Sequence, residues 1–174
     1  MTPTEISARI RDVPDFPKPG ILFKDLTPLF ADHAALASVI DQMCEPWEAS
    51  GCSMVAGVEA RGFLLAPLVA QRLGVGMVPI RKPGKLPWRS RRVEYGLEYG
   101  TDALEMHIDA LAPTDVVLIV DDVLATGGTA MAAVQLVLGA GASVAGAAFA
   151  IELGFLNGRA AMADVRVTAV VTYP

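Results

Sequence analysis

The sequence predicts an α/β fold with a central parallel sheet flanked by helices, on three observations. Short apolar runs such as Val116–Val120 alternate with longer segments whose apolar residues recur at helical spacing. The runs are apolar throughout, as strands covered on both faces must be, and not alternating as in a half-exposed sheet. Two of them end in polar, glycine-bearing loops, and sheets of this class bind ligands at the carboxyl ends of their strands.

The elements follow in order. Ile6 and Ile10 suggest a short first helix. The stretch from Asp12 to Phe30, DVPDFPKPGILFKDLTPLF, holds too many prolines for a continuous helix, yet its apolar side chains need cover. An ordered segment lying over the domain is expected. Asp32 suits an N-cap, and Leu36, Val39, Ile40, Met43 and Trp47 then mark one buried helical face, with Pro46 kinking or ending it. Ser53–Val58 reads as a buried strand, Glu59–Gly62 as a turn, Phe63–Leu73 as a helix and Val75–Ile80 as the next strand. A second such unit follows: strand Val116–Val120, loop Asp121–Thr129, helix Ala130–Leu138 ended by Gly139 and Gly141. Ser143–Glu152 and VRVTAVVTY near the C-terminus supply two more strands.

Composition bounds the function. With 174 residues, one domain spanning 1–174 is expected, large enough for a real core. A hydrophobic fraction of 53% with 19% charged residues is globular, neither disordered nor fibrous. A net charge of −5 argues against nonspecific nucleic-acid binding, which needs an excess of Lys and Arg. Cys44 and Cys52 have no zinc spacing and read as reduced core thiols. No signal peptide and no apolar stretch near the roughly 20 residues of a membrane span is seen, so a soluble, cytoplasmic chain without membrane partners is expected. His33 and His107 stand outside any metal constellation and read as structural.

The loop VVLIVDDVLATGGT carries the strongest chemical signal. Asp121 and Asp122 close an apolar strand, and their carboxylates can accept hydrogen bonds from the 2′- and 3′-hydroxyls of a ribose. Ala125, Thr126, Gly127, Gly128 and Thr129 then precede a helix, whose first turn offers free N–H groups and partial positive charge. Glycines let backbone approach an anion, and threonine hydroxyls add donors. A tight turn with a threonine cap accounts for TGGT alone; with the strand and acidic pair in front, the segment describes a ribose 5-phosphate site. The GxGxxG pattern of dinucleotide sites is absent.

This stretch resembles the phosphoribosyl-pyrophosphate motif of the type I phosphoribosyltransferases. With FPKPGILFKDLTP, RKPGKLP and GLEYG, the chain resembles the adenine-using members of that family over nearly its whole length. The resemblance implies a type I phosphoribosyltransferase fold with a small N-terminal hood at about 12–30 and a lid loop at about 81–100. It implies that Glu59, Ala60, Arg61 and Gly62 form a pyrophosphate loop, often with a cis peptide, and that Arg81, Lys82 and Lys85 reach the phosphates when the lid excludes water. Glu98, in LEYG, becomes the acid/base that takes a proton from the attacking base nitrogen. Backbone groups at Leu22, Phe23 and Lys24 would read the adenine edge, and Leu153 would line its face. Lys24 stands where these enzymes more often carry Arg, which matters only if the side chain makes the contact. Trp88–Val93 is less typical and has no assigned role.

The activity implied is conversion of adenine and 5-phospho-α-D-ribose 1-diphosphate to AMP and diphosphate, with Mg²⁺ held mainly through substrate phosphates and water. A homodimer is implied too. The alternatives are transfer to xanthine, hypoxanthine or guanine, a phosphoribosyl-pyrophosphate-sensing regulator without catalysis, and a generic nucleotide-binding module. The acidic balance, the absence of an added DNA-binding domain and Glu98 weigh against a regulator, and the hood with LEYG favours adenine.

Overall fold

Residues 1–96 and 101–174 are described by a computed structural model of the chain. In order, the elements are α1 (Pro3–Ser7), β1 (Arg11–Pro14), β2 (Leu22–Asp25), α2 (Thr27–Ala31), α3 (His33–Cys44), a 3₁₀ turn at Glu45–Trp47, β3 (Met54–Val58), α4 (Gly62–Leu73), β4 (Gly76–Ile80), β5 (Ser90–Gly96), β6 (Thr101–His107), β7 (Val116–Leu124), α5 (Gly128–Gly139), β8 (Ser143–Leu153), a 3₁₀ turn at Gly154–Leu156, α6 (Gly158–Ala161) and β9 (Val167–Tyr173). The central sheet runs β4-β3-β7-β8-β9, and every neighbouring pair is parallel.

The uninterrupted apolar runs have a simple cause. Successive side chains of a strand point to opposite faces. Val55, Leu118 and Val120 enter a core shared with α1 to α4, built around Ile6, Leu29, Met43, Trp47 and Leu65. Ala56, Val117 and Ile119 enter the opposite core with α5 and β6, around Leu104, Met106, Val134 and Leu136. Both faces are covered, so the strands are apolar until their carboxyl ends, where the buried Asp122 and Glu152 are paired with Arg61 and Arg159. The Asp32 side chain caps α3 by accepting from the Ala35 N–H at 3.1 Å, and Gly74, in the left-handed region at φ 71°, ends α4.

Four details differ from the sequence reading. The first helix stops at Ser7, with Ile10 beyond it. Trp47 lies in the 3₁₀ turn after α3, its indole N–H donating to the Thr168 hydroxyl at 3.1 Å. Strand β7 continues through the acidic pair to Leu124, because pairing with β8 persists at Asp121↔Phe149 and Leu124↔Glu152. The expected lid loop is half strand: β5 pairs antiparallel with β6 from Ser90↔His107 to Gly96↔Thr101, so Ser90–Val93 belongs to a hairpin. The N-terminal segment over the sheet is itself a hairpin, β1 with β2.

Both cysteines are free thiols; burial pushes Cys44 up to about 11. Among the described residues, no helix is long and apolar enough to cross a membrane.

Candidate active site

Strands β3 and β7 are neighbours, and their carboxyl ends open into one cleft of about 390 Å³. The cleft brings together Leu22, Phe23 and Lys24 of β2, Glu59, Ala60 and Arg61 after β3, Lys82 after β4, Asp121 and Asp122 of β7, the segment Ala125–Thr129, and Leu153 at the end of β8. Gly62, Arg81 and Lys85 do not line it. Glu98 lies outside the described residues.

Asp122 is only 2% exposed, and its carboxylate accepts from the Arg61 guanidinium, which compensates the loss of hydration. The same guanidinium sits over the Phe23 ring at 5.4 Å, so one side chain joins the acidic pair to the N-terminal hairpin. Asp121 accepts from the Asp122 backbone N–H at 2.8 Å. Burial, followed by the neighbouring Asp122 charge, raises the Asp121 carboxyl well above its ordinary value.

The turn after β7 is shaped for an anion. Gly127 has φ 88°, and a side chain there would place its Cβ 2.7 Å from the Gly158 carbonyl oxygen. Only glycine fits that conformation and that gap. Gly127 also stands at the N-cap of α5 and offers no side-chain cap. The N–H groups of the first turn therefore face the cleft without a capping oxygen, carrying the positive end of the helix dipole.

The loop after β3 contains a cis Glu59–Ala60 peptide. The Glu59 carboxylate takes two hydrogen bonds from Arg81, each 3.1 Å, and one from the Lys82 backbone N–H at 3.0 Å. The Arg81 hydrogen bond is the main reason its carboxyl lies below the ordinary value. Arg81 also donates to the Lys85 carbonyl at 3.0 Å. Arg81 thus braces the loop instead of reaching into the cleft. Lys82 does reach it, donating to Asp102 and, at 3.2 Å, to the Tyr95 hydroxyl. Burial works against the Lys82 charge, but those bonds outweigh it and raise the ammonium above its ordinary value.

At the other wall, the Lys24 ammonium turns aside. It pairs with Asp12 across the hairpin at 2.6 Å and lies 4.1 Å from the centre of the Tyr173 ring. Leu153 and Tyr173 are cross-strand partners, so one strand pair carries both the cleft-lining Leu153 and the ring beside Lys24. Sequence reasoning missed Ile21, Val123, Leu124, Ala130 and Phe149, which also line the cleft. Phe149 is 1% exposed within a strand, and no local pattern separates it from core.

The Phosphoribosyl transferase domain matches residues 29–170. The chain is 52% identical over 168 residues to the adenine phosphoribosyltransferase of Nitrosococcus oceani, covering 97% of this chain and 98% of that one. It is 54% identical over 169 residues to that of Methylococcus capsulatus, covering 97% and 99%. Its fold is similar to the crystal structure of the Rhodothermus marinus adenine phosphoribosyltransferase, with a TM-score of 0.94, 48% identity and 98% of each chain covered. The Giardia lamblia enzyme, solved with 9-deazaadenine, gives a TM-score of 0.94 at 37% identity, covering 100% of this chain and 99% of that one. On these matches, and with the acidic pair, the uncapped helix start and the overlying hairpin in one cleft, the chain belongs to the adenine phosphoribosyltransferase family.

Proposed function

We propose that the chain transfers the phosphoribosyl group of 5-phospho-α-D-ribose 1-diphosphate to adenine, releasing diphosphate and forming AMP. The observation that carries this reading is the convergence, in one cleft, of the carboxylates of Asp121 and Asp122 with the uncapped first turn of α5. The carboxylates accept the ribose hydroxyls. The backbone N–H groups from Ala125 to Thr129, with the Thr126 hydroxyl, hold the 5′-phosphate. Ala60, Arg61 and Lys82 hold the pyrophosphate, while Glu59 and Arg81, bonded to each other, shape that loop, and Gly62 stands behind it against Asp121; Lys85 joins when the lid segment closes.

The bond from ribose C1 to the pyrophosphate oxygen breaks with its electron pair leaving on oxygen, and positive charge develops on the sugar. A ring nitrogen of adenine forms the new bond to C1, and Glu98 takes the proton that this nitrogen loses. Leu153 covers one face of the base. Because the Lys24 ammonium is engaged by Asp12 and Tyr173, the edge of the base is read by backbone groups at Leu22 to Lys24, and Lys in place of Arg leaves adenine recognition intact.

Among the described residues no three His, Cys, Asp or Glu side chains cluster to hold a metal. Asp121 and Asp122 form a pair, which suits Mg²⁺ carried on pyrophosphate oxygens and water with little protein ligation. Bound there, the ion would neutralise charge on the departing pyrophosphate. Exposed apolar side chains, such as Leu64 at 54% on α4, suit the homodimer the family resemblance implies.

The test is pyrophosphate release with magnesium and each purine base in turn, for wild type and Glu98→Ala. Turnover with adenine, reduced about 10²- to 10⁴-fold in kcat by the substitution, is expected. Turnover with another purine alone overturns the adenine assignment, and binding of the sugar phosphate without turnover turns the reading to a sensor.

A further inference from the structure

The Tyr95 hydroxyl lies where three elements meet. It donates to an Asp102 carboxylate oxygen at 3.0 Å and accepts from the Lys82 ammonium at 3.2 Å and from the Thr129 hydroxyl at 3.3 Å. A phenol has one hydrogen to give and two lone pairs to receive with, so this hydroxyl is saturated. Its partners are spread along the chain. Lys82 follows β4, Thr129 is in the first turn of α5, and Asp102 is its cross-strand partner on β6. The ring also packs beside Gly128, whose Cβ, if present, would lie 3.5 Å from Tyr95 Cδ2.

Two features make the cluster more than packing. Lys82 and Thr129 both line the cleft, at the ends that the proposed function assigns to pyrophosphate and to 5′-phosphate. Lys82 has three donors. Two go to Asp102 and Tyr95, which leaves one for a phosphate oxygen and fixes a side chain that otherwise loses much rotamer freedom on binding. Tyr95↔Asp102 is, moreover, the pair just before Gly96↔Thr101, where the hairpin passes into the chain that carries Glu98. Locking this pair to Thr129 ties the Gly96↔Thr101 end of the hairpin to the first turn of α5.

We propose that Tyr95 is a positioning residue for phosphoribosyl-pyrophosphate binding: its one hydroxyl orders the Lys82 ammonium, which keeps a donor for the pyrophosphate, and by accepting the single hydrogen of the Thr129 hydroxyl holds the first turn of α5, whose backbone N–H groups meet the 5′-phosphate. Tyr95 acts through these two residues and need not touch the substrate. The inference rests on the reading of the cleft as a phosphoribosyl-pyrophosphate site.

Calorimetric titration with phosphoribosyl pyrophosphate and magnesium tests it, on full-length wild type, Tyr95→Phe, Lys82→Ala/Thr129→Ala, and the combined triple variant. Tyr95→Phe keeps the ring and changes no charge. It is expected to weaken binding about tenfold, equivalent to about 1.4 kcal/mol, with Tm within about 2 °C of wild type and KM for adenine within about twofold. In the Lys82→Ala/Thr129→Ala background the same substitution is expected to change Kd less than about twofold, because its targets are gone. Tyr95→Phe binding like wild type overturns the proposal. So does a tenfold loss that persists undiminished in the double-variant background, which would mean a role independent of these two side chains. Failure of the functional reading is read separately: wild type that binds the sugar phosphate without turning over adenine sinks that reading alone. Wild type that does not bind it sinks both.

Discussion

Gly62 opens α4 without lining the cleft, yet its hydrogen side chain is required by what lies behind it. A Cβ built there would sit 2.8 Å from Asp121 Oδ1 and 2.9 Å from the Val120 carbonyl oxygen. Side-chain carbon rarely approaches oxygen closer than about 3.4 Å, so Gly62→Ala must move α4 or β7 by about half an ångström. The carbonyl cannot rotate away, because β7 is paired on both sides, with β3 and β8. Overpacking of this kind costs about 1–3 kcal/mol, which for a chain of this size lowers Tm by about 2–12 °C. The displaced groups are the Asp121 carboxylate and the loop ending in Arg61. Misplacement by about 1 Å can cost about 10²-fold, so a shift half as large is expected to lower kcat/KM about tenfold. Calorimetry and steady-state kinetics with adenine measure the two effects. A Gly62→Ala protein with wild-type Tm and wild-type kcat/KM would refute the close-approach argument.

Asp121→Asn is expected to stabilise the fold while weakening phosphoribosyl-pyrophosphate binding about tenfold, since one ribose acceptor is lost. The pH dependence has a definite sign. A carboxyl whose folded pKa is raised favours the folded state when protonated, and that contribution disappears as pH rises through its folded value. The Tm advantage of the Asn variant is therefore smallest near pH 3 and grows as pH rises past the raised Asp121 titration; an advantage that does not vary with pH contradicts the assignment. Arg159→Met tests the support under the phosphate turn. Glu152 is 5% exposed and takes three hydrogen bonds of 2.8–3.0 Å from Arg159. Stranding that carboxylate costs about 3 kcal/mol, the low end for a buried pair because Arg159 is half exposed. A Tm fall of about 6–12 °C in thermal melts is expected, and Glu152→Gln added to it should recover part of the loss.

Local chemistry was enough to read the sheet, its parallel sense and the acidic pair with its glycine turn. A strand buried on both faces declares itself in its own five residues, as Val116–Val120 does. Likewise the anion-binding turn needs only neighbours: Asp121, Asp122, Gly127 and Gly128 lie within eight positions of one another. The Asp32 cap was legible for the same reason. The family's motifs added the expectations of a hood and of a pyrophosphate loop, which no periodicity marks.

What the sequence left undecided depended on residues far apart in the chain. β7 runs on through Asp121 because β8 continues to offer hydrogen bonds, a fact absent from the loop's own composition. RKPGKLP and RSRRVEYG look alike as polar, basic chain, but Ser90–Gly96 finds β6 as a partner and becomes strand. Arg81 and Lys82 are adjacent in sequence and equally basic, yet Arg81 turns to Glu59 and Lys82 to Asp102 and Tyr95. Lys24 carries a charge toward the base site in sequence and spends it on Asp12 and Tyr173 in the fold. Side-chain type determined which chemistries this protein has available, because donors, charges and backbone freedom are properties of single residues. Which of them face the cleft, and which brace one another behind it, was decided by tertiary structure, because hydrogen bonds and ion pairs form only where packing brings distant segments within about 3 Å.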